Sequence, residues 1–167
     1  YRSRRPAPLV DDKRLVAWNG LMISAFARAG FVLDDAGYIE RARNAALFIL
    51  DAMVDNGRLK RSFRDGAASG SGFLEDYAFF TAALLDLFGV TTSARWLNSA
   101  VELDRVLADH FEDAENGGFF MTADDHEALI AREKPFMDGA LPSGNAIAAM
   151  NLLRFYHLTL DPTYRSR

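Results

Sequence analysis

Two kinds of apolar segment alternate along this chain. From Leu15 to Leu33 the sequence LVAWNGLMISAFARAGFVL carries a single charge, Arg28, and its apolar residues fall all round a helix. Such a helix is expected to be buried on most sides. The next segment, Tyr38 to Met53, places Ile39, Ala42, Ala45, Ala46, Ile49 and Met53 on one stripe. Glu40, Arg41, Arg43, Asn44 and Asp51 take the opposite face, which predicts an amphipathic helix with one wet side. The pattern then repeats. Phe73 to Phe88 is charged only at Glu75, Asp76 and Asp86, whereas Trp96 to Phe111 is amphipathic through Leu97, Ala100, Val101, Leu103, Leu107 and Phe111. Ser143 to Leu158 is again mostly apolar, with Pro142 at its start, where a missing N–H does no harm. A further helix is expected to open at Tyr164.

Polar turns punctuate these helices at regular places. Tyr38, Trp96 and Tyr164 each open an amphipathic helix, giving a repeat of about 58–68 residues. Asn56-Gly57 and Asn116-Gly117 follow the first two, each leading into β-type residues, 59–63 and 118–122. Asn-Gly is a strong hairpin signal. Tetratricopeptide, ankyrin and HEAT units, at about 33–47 residues, are too short for this repeat. The expected fold is all-α: a partial α/α toroid of buried inner and amphipathic outer helices with short β-hairpin excursions. The 167 residues read as one domain, a fragment of about two and a half hairpins. Its edge hairpins are expected to expose apolar surface and to favour self-association. Gly66 to Gly72 reads as a flexible loop; it lacks the Lys-Ser/Thr ending of a phosphate-binding loop.

Composition narrows the function. The chain is 50% apolar and 25% charged, with net charge −4, so no basic field suits a nucleic acid. The short basic run Arg2, Arg4 and Arg5 reads as a solvated arm. Without cysteine there is neither a disulfide framework nor a thiolate metal site. Asn19, Gly20, Ser24, Arg28 and Gly30 interrupt the first apolar segment, which argues against a membrane span. Tyr1 is not followed by an apolar signal region, and a cytoplasmic location is expected.

Candidate chemistry lies at the beginnings of the apolar helices. Asp12, Lys13, Trp18 and Asn19 mark the first, Glu75, Asp76 and Tyr77 the second, and Asp138, Ser143 and Asn145 the third. In a toroid the inner helices run in one direction, so these three clusters would meet on one rim. A cleft with carboxylates, an aromatic wall and hydroxyl-binding amides suits a sugar-like small molecule, and paired carboxylates are the usual machinery of glycoside hydrolysis. Glu75 or Asp76 is the candidate acid/base, with Asp138 as its partner. The adjacent pair cannot work together, because neighbours on a helix point about 100° apart. Trp18 and Tyr77 are the candidate stacking wall; Asp12, Lys13, Asn19, Ser143 and Asn145 are the candidate hydroxyl-binding groups. Each has a structural alternative: first-turn acids and Ser-x-Asn cap helices, and tryptophan packs in cores. His110, His126 and His157 lie outside the three clusters. His126 in Asp124-Asp125-His126-Glu127 has no second histidine at ligand spacing, so neither a metal nor another cofactor is expected.

Several of these segments carry a resemblance. Asp11-Asp12-Lys13 with Trp18 to Ile23, Gly72 to Phe79, Gly117 to Phe120 with Thr122 to Glu127, and Asp138 to Asn145 resemble the YyaL-type thioredoxin-domain proteins, which include spermatogenesis-associated thioredoxin-like proteins of animals. The match is collinear over nearly the whole chain. The resemblance implies a larger parent, with a thioredoxin-like domain ahead of an (α/α)6 barrel similar to N-acylglucosamine 2-epimerases and six-hairpin glycosidases. This chain would be part of the barrel and hold no thioredoxin domain. Similar epimerases use histidines as acid and base, and none lies in the three clusters here. The rival expectation is a non-catalytic helical scaffold that positions a thioredoxin-like domain or docks a partner protein.

Overall fold

The computed structural model describes residue 5 and residues 10–127 and 131–167; Arg2 and Arg4 of the basic run lie outside the described residues. Strand β1 (Arg14–Leu15) leads into α1 (Val16–Val32), and α2 (Ala36–Ala52) completes the first helical hairpin. Strands β2 (Val54–Asp55), β3 (Arg58–Arg64) and β4 (Ala67–Ser71) follow, then α3 (Leu74–Thr91) and α4 (Ala94–His110). After an irregular segment come α5 (Gly144–Thr159) and the short α6 (Thr163–Ser166).

The inner helices α1, α3 and α5 lie side by side, α3 in the middle, with α2 packed on α1 and α4 on α3. The amphipathic stripes face inward as their spacing predicts. Ala42, Ala46 and Ile49 of α2 and Ala100, Leu103 and Leu107 of α4 are buried. Helix α3 is enclosed almost all round, with Tyr77, Phe79, Phe80, Leu84, Leu85 and Leu87 at its centre. Helix α1, expected to be buried on most sides, is not. It buries Val16, Gly20, Ile23 and Ala27, while Trp18, Met22, Phe31 and Val32 are exposed. The mostly apolar α5 likewise exposes Met150, Leu153 and Leu158. The cause is position: among the described residues α3 has an inner neighbour on each side, whereas α1 and α5 have only α3.

An ion cluster centred on the buried Asp86 joins the three inner helices toward their C-terminal ends. The Asp86 carboxylate of α3 accepts Arg28 of α1 at 2.9 and 3.1 Å and Arg154 of α5 at 2.7 Å.

The β-excursions are larger than short hairpins. Strand β3 pairs antiparallel with β1 (Arg14↔Phe63), β2 (Val54↔Leu59) and β4 (Ser62↔Ser69), forming a four-stranded sheet. Asn56 and Gly57 both have positive φ, as a two-residue hairpin turn of this hand requires, and Asp65-Gly66 repeats the device. That second turn folds residues 67–71 back on β3, so the stretch expected to be a flexible loop is a strand. The second Asn-Gly forms only one isolated bridge, Glu112↔Phe119. There Asp113 accepts the N–H groups of Glu115 and Asn116 and pairs with Lys134, so the turn closes on a side chain.

Helix α5 ends on Leu160 in the left-handed conformation, φ 58°, with the side chain in solvent. A residue with a Cβ is strained there. Leu160→Gly is expected to raise stability by about 1 kcal/mol, read as a higher midpoint in thermal melts; an unchanged midpoint would remove the strain argument.

Candidate functional site

The N-termini of the three inner helices do meet. The Asp76 Oδ1 of α3 accepts the Ala17 N–H in the first turn of α1 at 3.0 Å. Gly144, the first residue of α5, lies so close to α3 that an added Cβ would come within 2.8 Å of Leu74 Cγ. The rim expected from the alternation of helices is therefore present, and it is built from α1, α3 and α5.

Its carboxylates divide sharply in role. Asp76 is 1% exposed, and its second oxygen accepts the Phe73 N–H at 2.9 Å, so one side chain satisfies the starts of two helices. Burial raises its pKa to about 6, against the pull of the Phe73 N–H and of the Arg61 guanidinium 3.8 Å away. Glu75, one residue earlier, is half-buried and makes no hydrogen bond or ion pair among the described residues. It lines a cavity of about 350 Å³ formed with Met121, Pro135, Met137, Leu141 and the start of α5, and it is the one titratable group among the described residues there. Two helix N-termini border this cavity, which favours an anionic side chain or ligand atom.

The other predicted residues are distributed as follows. Asp138 is exposed in the same irregular segment and accepts the Ser143 N–H at 2.8 Å. Ser143 caps α5 through Ala146 N–H at 3.1 Å, and it also borders the Glu75 cavity. The Asn145 amide clasps the Phe119 backbone, accepting its N–H at 2.7 Å and donating to its carbonyl at 2.9 Å. It also donates to Pro135, and so fixes the segment that walls the cavity. Asn19 donates to the Leu15 carbonyl. Asp12 pairs with Arg64 and Lys13 with Asp11, all at the surface. Trp18 is 61% exposed on α1, whereas Tyr77 is sealed in the core against Phe111, so the structure does not bring the two rings together as a wall.

A cluster that sequence spacing hides lies at the C-terminal end of α4. His110 Nδ1 is 2.8 Å from Asp124, and Asp125 takes a two-pronged bond from Arg58 at 2.9 and 3.0 Å. His110, Asp124 and Asp125 present three ligand-capable atoms within 4.8 Å of one another. Hydrogen bonds from His110 and Arg58 respectively hold Asp124 and Asp125 below the usual carboxylate range. His126, the histidine nearest these acids in sequence, instead packs against Phe73. Nothing in the 14-residue separation of His110 and Asp124 signals their pairing.

Comparison with known proteins places this geometry. No protein-family model matches the sequence. The chain is 41% identical over 169 residues to spermatogenesis-associated protein 20 of Rattus norvegicus, covering 95% of this chain and 21% of that protein. It is 40% identical to the Homo sapiens protein of the same name, again over 95% of this chain and 22% of that protein. The chain thus spans about a fifth of the length of these curated relatives. Among solved structures, cellobiose 2-epimerase from Spirochaeta thermophila superposes with TM-score 0.72 at 19% identity, over 92% of this chain and 41% of that one. The family 76 α-mannanase of Bacteroides thetaiotaomicron gives 0.71 at 17%, over 96% and 43%. A D-mannose isomerase gives 0.70 at 17%, over 91% and 38%. These likenesses establish the α/α toroid fold. Among the described residues no helix is long and apolar enough to cross a membrane. The chain is a homologue of spermatogenesis-associated protein 20 over the part of that protein it spans, and it folds as a segment of an α/α toroid.

Proposed function

We propose that this chain is the part of a carbohydrate-active α/α barrel that holds a sugar-like small molecule at the inner-helix N-termini, with Glu75 as its acid/base. The observation that carries the reading is Glu75 itself: a half-buried carboxylate, without a hydrogen-bonding partner among the described residues, in a cavity between α3 and α5. Buried carboxylates that serve only the fold are normally hydrogen-bonded, as Asp76 is. The superposed sugar epimerases, isomerase and glycosidase support the ligand class at the level of the fold. Asp138, anchored on Ser143 N–H, is the partner carboxylate of this proposal, and Trp18 is its exposed aromatic platform. The parent protein is cytoplasmic in this reading and joins the barrel to a thioredoxin-like domain.

A second reading has its own support. Asp76, Ser143 and Asn145 spend their polar atoms on helix starts or backbone, as a scaffold requires. The exposed apolar faces of α1 and α5 would then serve self-association or docking of a partner protein. Glu75→Gln separates the two. It is expected to change stability by less than about 1 kcal/mol, because the carboxylate has no hydrogen bond among the described residues to lose, only its attraction to the helix N-termini. It should weaken binding of cellobiose to the chain by about tenfold or more, measured by calorimetry. Unchanged cellobiose binding, or none in either protein, would leave the scaffold reading in its place.

A further inference from the structure

Tyr77 lies two positions after Glu75 and so points about 200° away around α3, toward the sheet rather than toward α5. Its hydroxyl oxygen accepts the Leu59 N–H at 2.9 Å. The hydroxyl hydrogen has no acceptor among the described residues, although the side chain is 1% exposed. Burial pushes the phenol above its ordinary value, against the Leu59 N–H and the nearby Arg58 guanidinium, so at neutral pH it keeps that hydrogen. A phenol hydrogen without a protein acceptor, on a residue that lines a cavity, can be donated to an oxygen from outside the protein.

Tyr77 lines a cavity of about 240 Å³ between the β2–β3 turn and Asp125. Gly72 keeps its wall thin, because a Cβ there would meet the Leu59 carbonyl at 2.9 Å and the Tyr77 ring at 3.1 Å. The charges on its wall are already matched. Lys60 bonds Asp55 at 3.0 Å, and the Arg58 fork grips Asp125 at 2.9 and 3.0 Å. An anion entering here would face Asp55 and Asp125, and a cation would face Arg58 and Lys60. A neutral polyol meets neither penalty. Each of its hydroxyls both accepts and donates, so it can take the Tyr77 hydrogen and return one to a carboxylate lone pair. The volume lies below the range of about 300–1,000 Å³ typical of drug-sized sites, which limits the ligand to roughly one ring.

We propose that this cavity, floored by the Tyr77 hydroxyl and rimmed by the Lys60–Asp55 and Arg58–Asp125 pairs, is a binding site for a single neutral sugar ring, separate from the Glu75 cavity. It does not depend on the reading given above for Glu75, since the two cavities share no lining residue.

The test is a titration of the isotopically labelled 167-residue chain, followed through the amide signals of Asn56, Leu59 and Gly72. D-mannose is expected to shift these signals saturably, and inorganic phosphate is expected to leave them unmoved. Tyr77→Phe should weaken the mannose response about tenfold. Because that change also takes the acceptor from Leu59, Lys60→Ala at the rim serves as a second variant and should weaken it severalfold, with the amide spectrum showing an intact fold. Glu75→Gln should leave the response at these three amides as it is, so loss of the Glu75 reading and loss of this one are told apart. If phosphate moves the signals and mannose does not, the site is anionic and the proposal fails. If neither moves them, the Tyr77 hydrogen is served by water and the proposal fails as well.

Discussion

Gly20→Ala is expected to destabilise the chain by about 2 kcal/mol or more, a fall of roughly 4–8 °C in the thermal midpoint. Helix propensity alone predicts the opposite, since alanine gains about 1 kcal/mol over glycine inside a helix. The crossing of α1 and α3 decides the sign. A Cβ on Gly20 would lie 2.8 Å from the carbonyl carbon of Phe79, 2.9 Å from its oxygen and 2.9 Å from Phe80 N. All three are backbone atoms in the most enclosed helix of the fold, and they cannot rotate aside as a side chain would. The helices must separate, which strains the Ala17–Asp76 and Arg28–Asp86 bonds at either end of the contact. Gly89, near the exposed end of α3, supplies the control. Nothing lies within 4 Å of a Cβ there, so Gly89→Ala should gain about 1 kcal/mol from propensity alone. Urea titrations of both variants measure the pair. A neutral Gly20→Ala would mean that the two inner helices have freedom to part, and the rim built on their contact would lose its rigidity.

The alternation of helices was legible because it needs only local periodicity. The stripes through Ala42 and Ile49 and through Ala100 and Leu107 are buried as their spacing predicts. The enclosure of α1 was not legible, because Trp18 and Met22 carry the same apolar signal whether or not another helix covers them. Turn chemistry was half legible. Asn56-Gly57 closes a hairpin, but the same dipeptide at 116–117 is overridden by Asp113, and Asp65-Gly66 turns an apparent loop into β4. At the rim, the sequence places Glu75 and Asp76 side by side with equal claims. What separates them is the Ala17 N–H, 59 positions away, which occupies one carboxylate, while the other has no hydrogen bond or ion pair among the described residues. The Arg28–Asp86–Arg154 cluster hides for the same reason: each charge reads as an isolated blemish on an apolar helix until three helices bring them together.

Asp76→Ala is expected to cost little at neutral pH and much more in acid, a pattern that distinguishes a helix-starting carboxylate from a ligand-binding one. The substitution strips acceptors from the N–H groups of Ala17 and Phe73, at about 1–3 kcal/mol for each donor left unsatisfied. Against this stands the cost of the buried charge. Asp76 has a folded pKa of about 6 against an ordinary 3.8, so between those values the native chain binds a proton that the unfolded chain has lost. Stability from this group therefore falls as pH rises through that window and is flat above it, by about 3 kcal/mol in all. Near pH 7.5 removing the charge offsets most of the lost bonds, leaving a net cost of about 1 kcal/mol. Near pH 4.5 the wild-type group is already largely neutral, the relief is mostly gone, and the cost rises to about 3 kcal/mol. Asp113, Asp124 and Asp125, whose carboxyls are held low, titrate in the opposite sense, but they do so in both proteins and cancel in the difference. Denaturant unfolding of wild type and variant across this range gives that difference directly. A gap that is constant with pH, or that narrows in acid, would contradict the buried-cap account. Unaltered stability combined with lost cellobiose binding would move Asp76 from the architecture of the rim into the site beside Glu75.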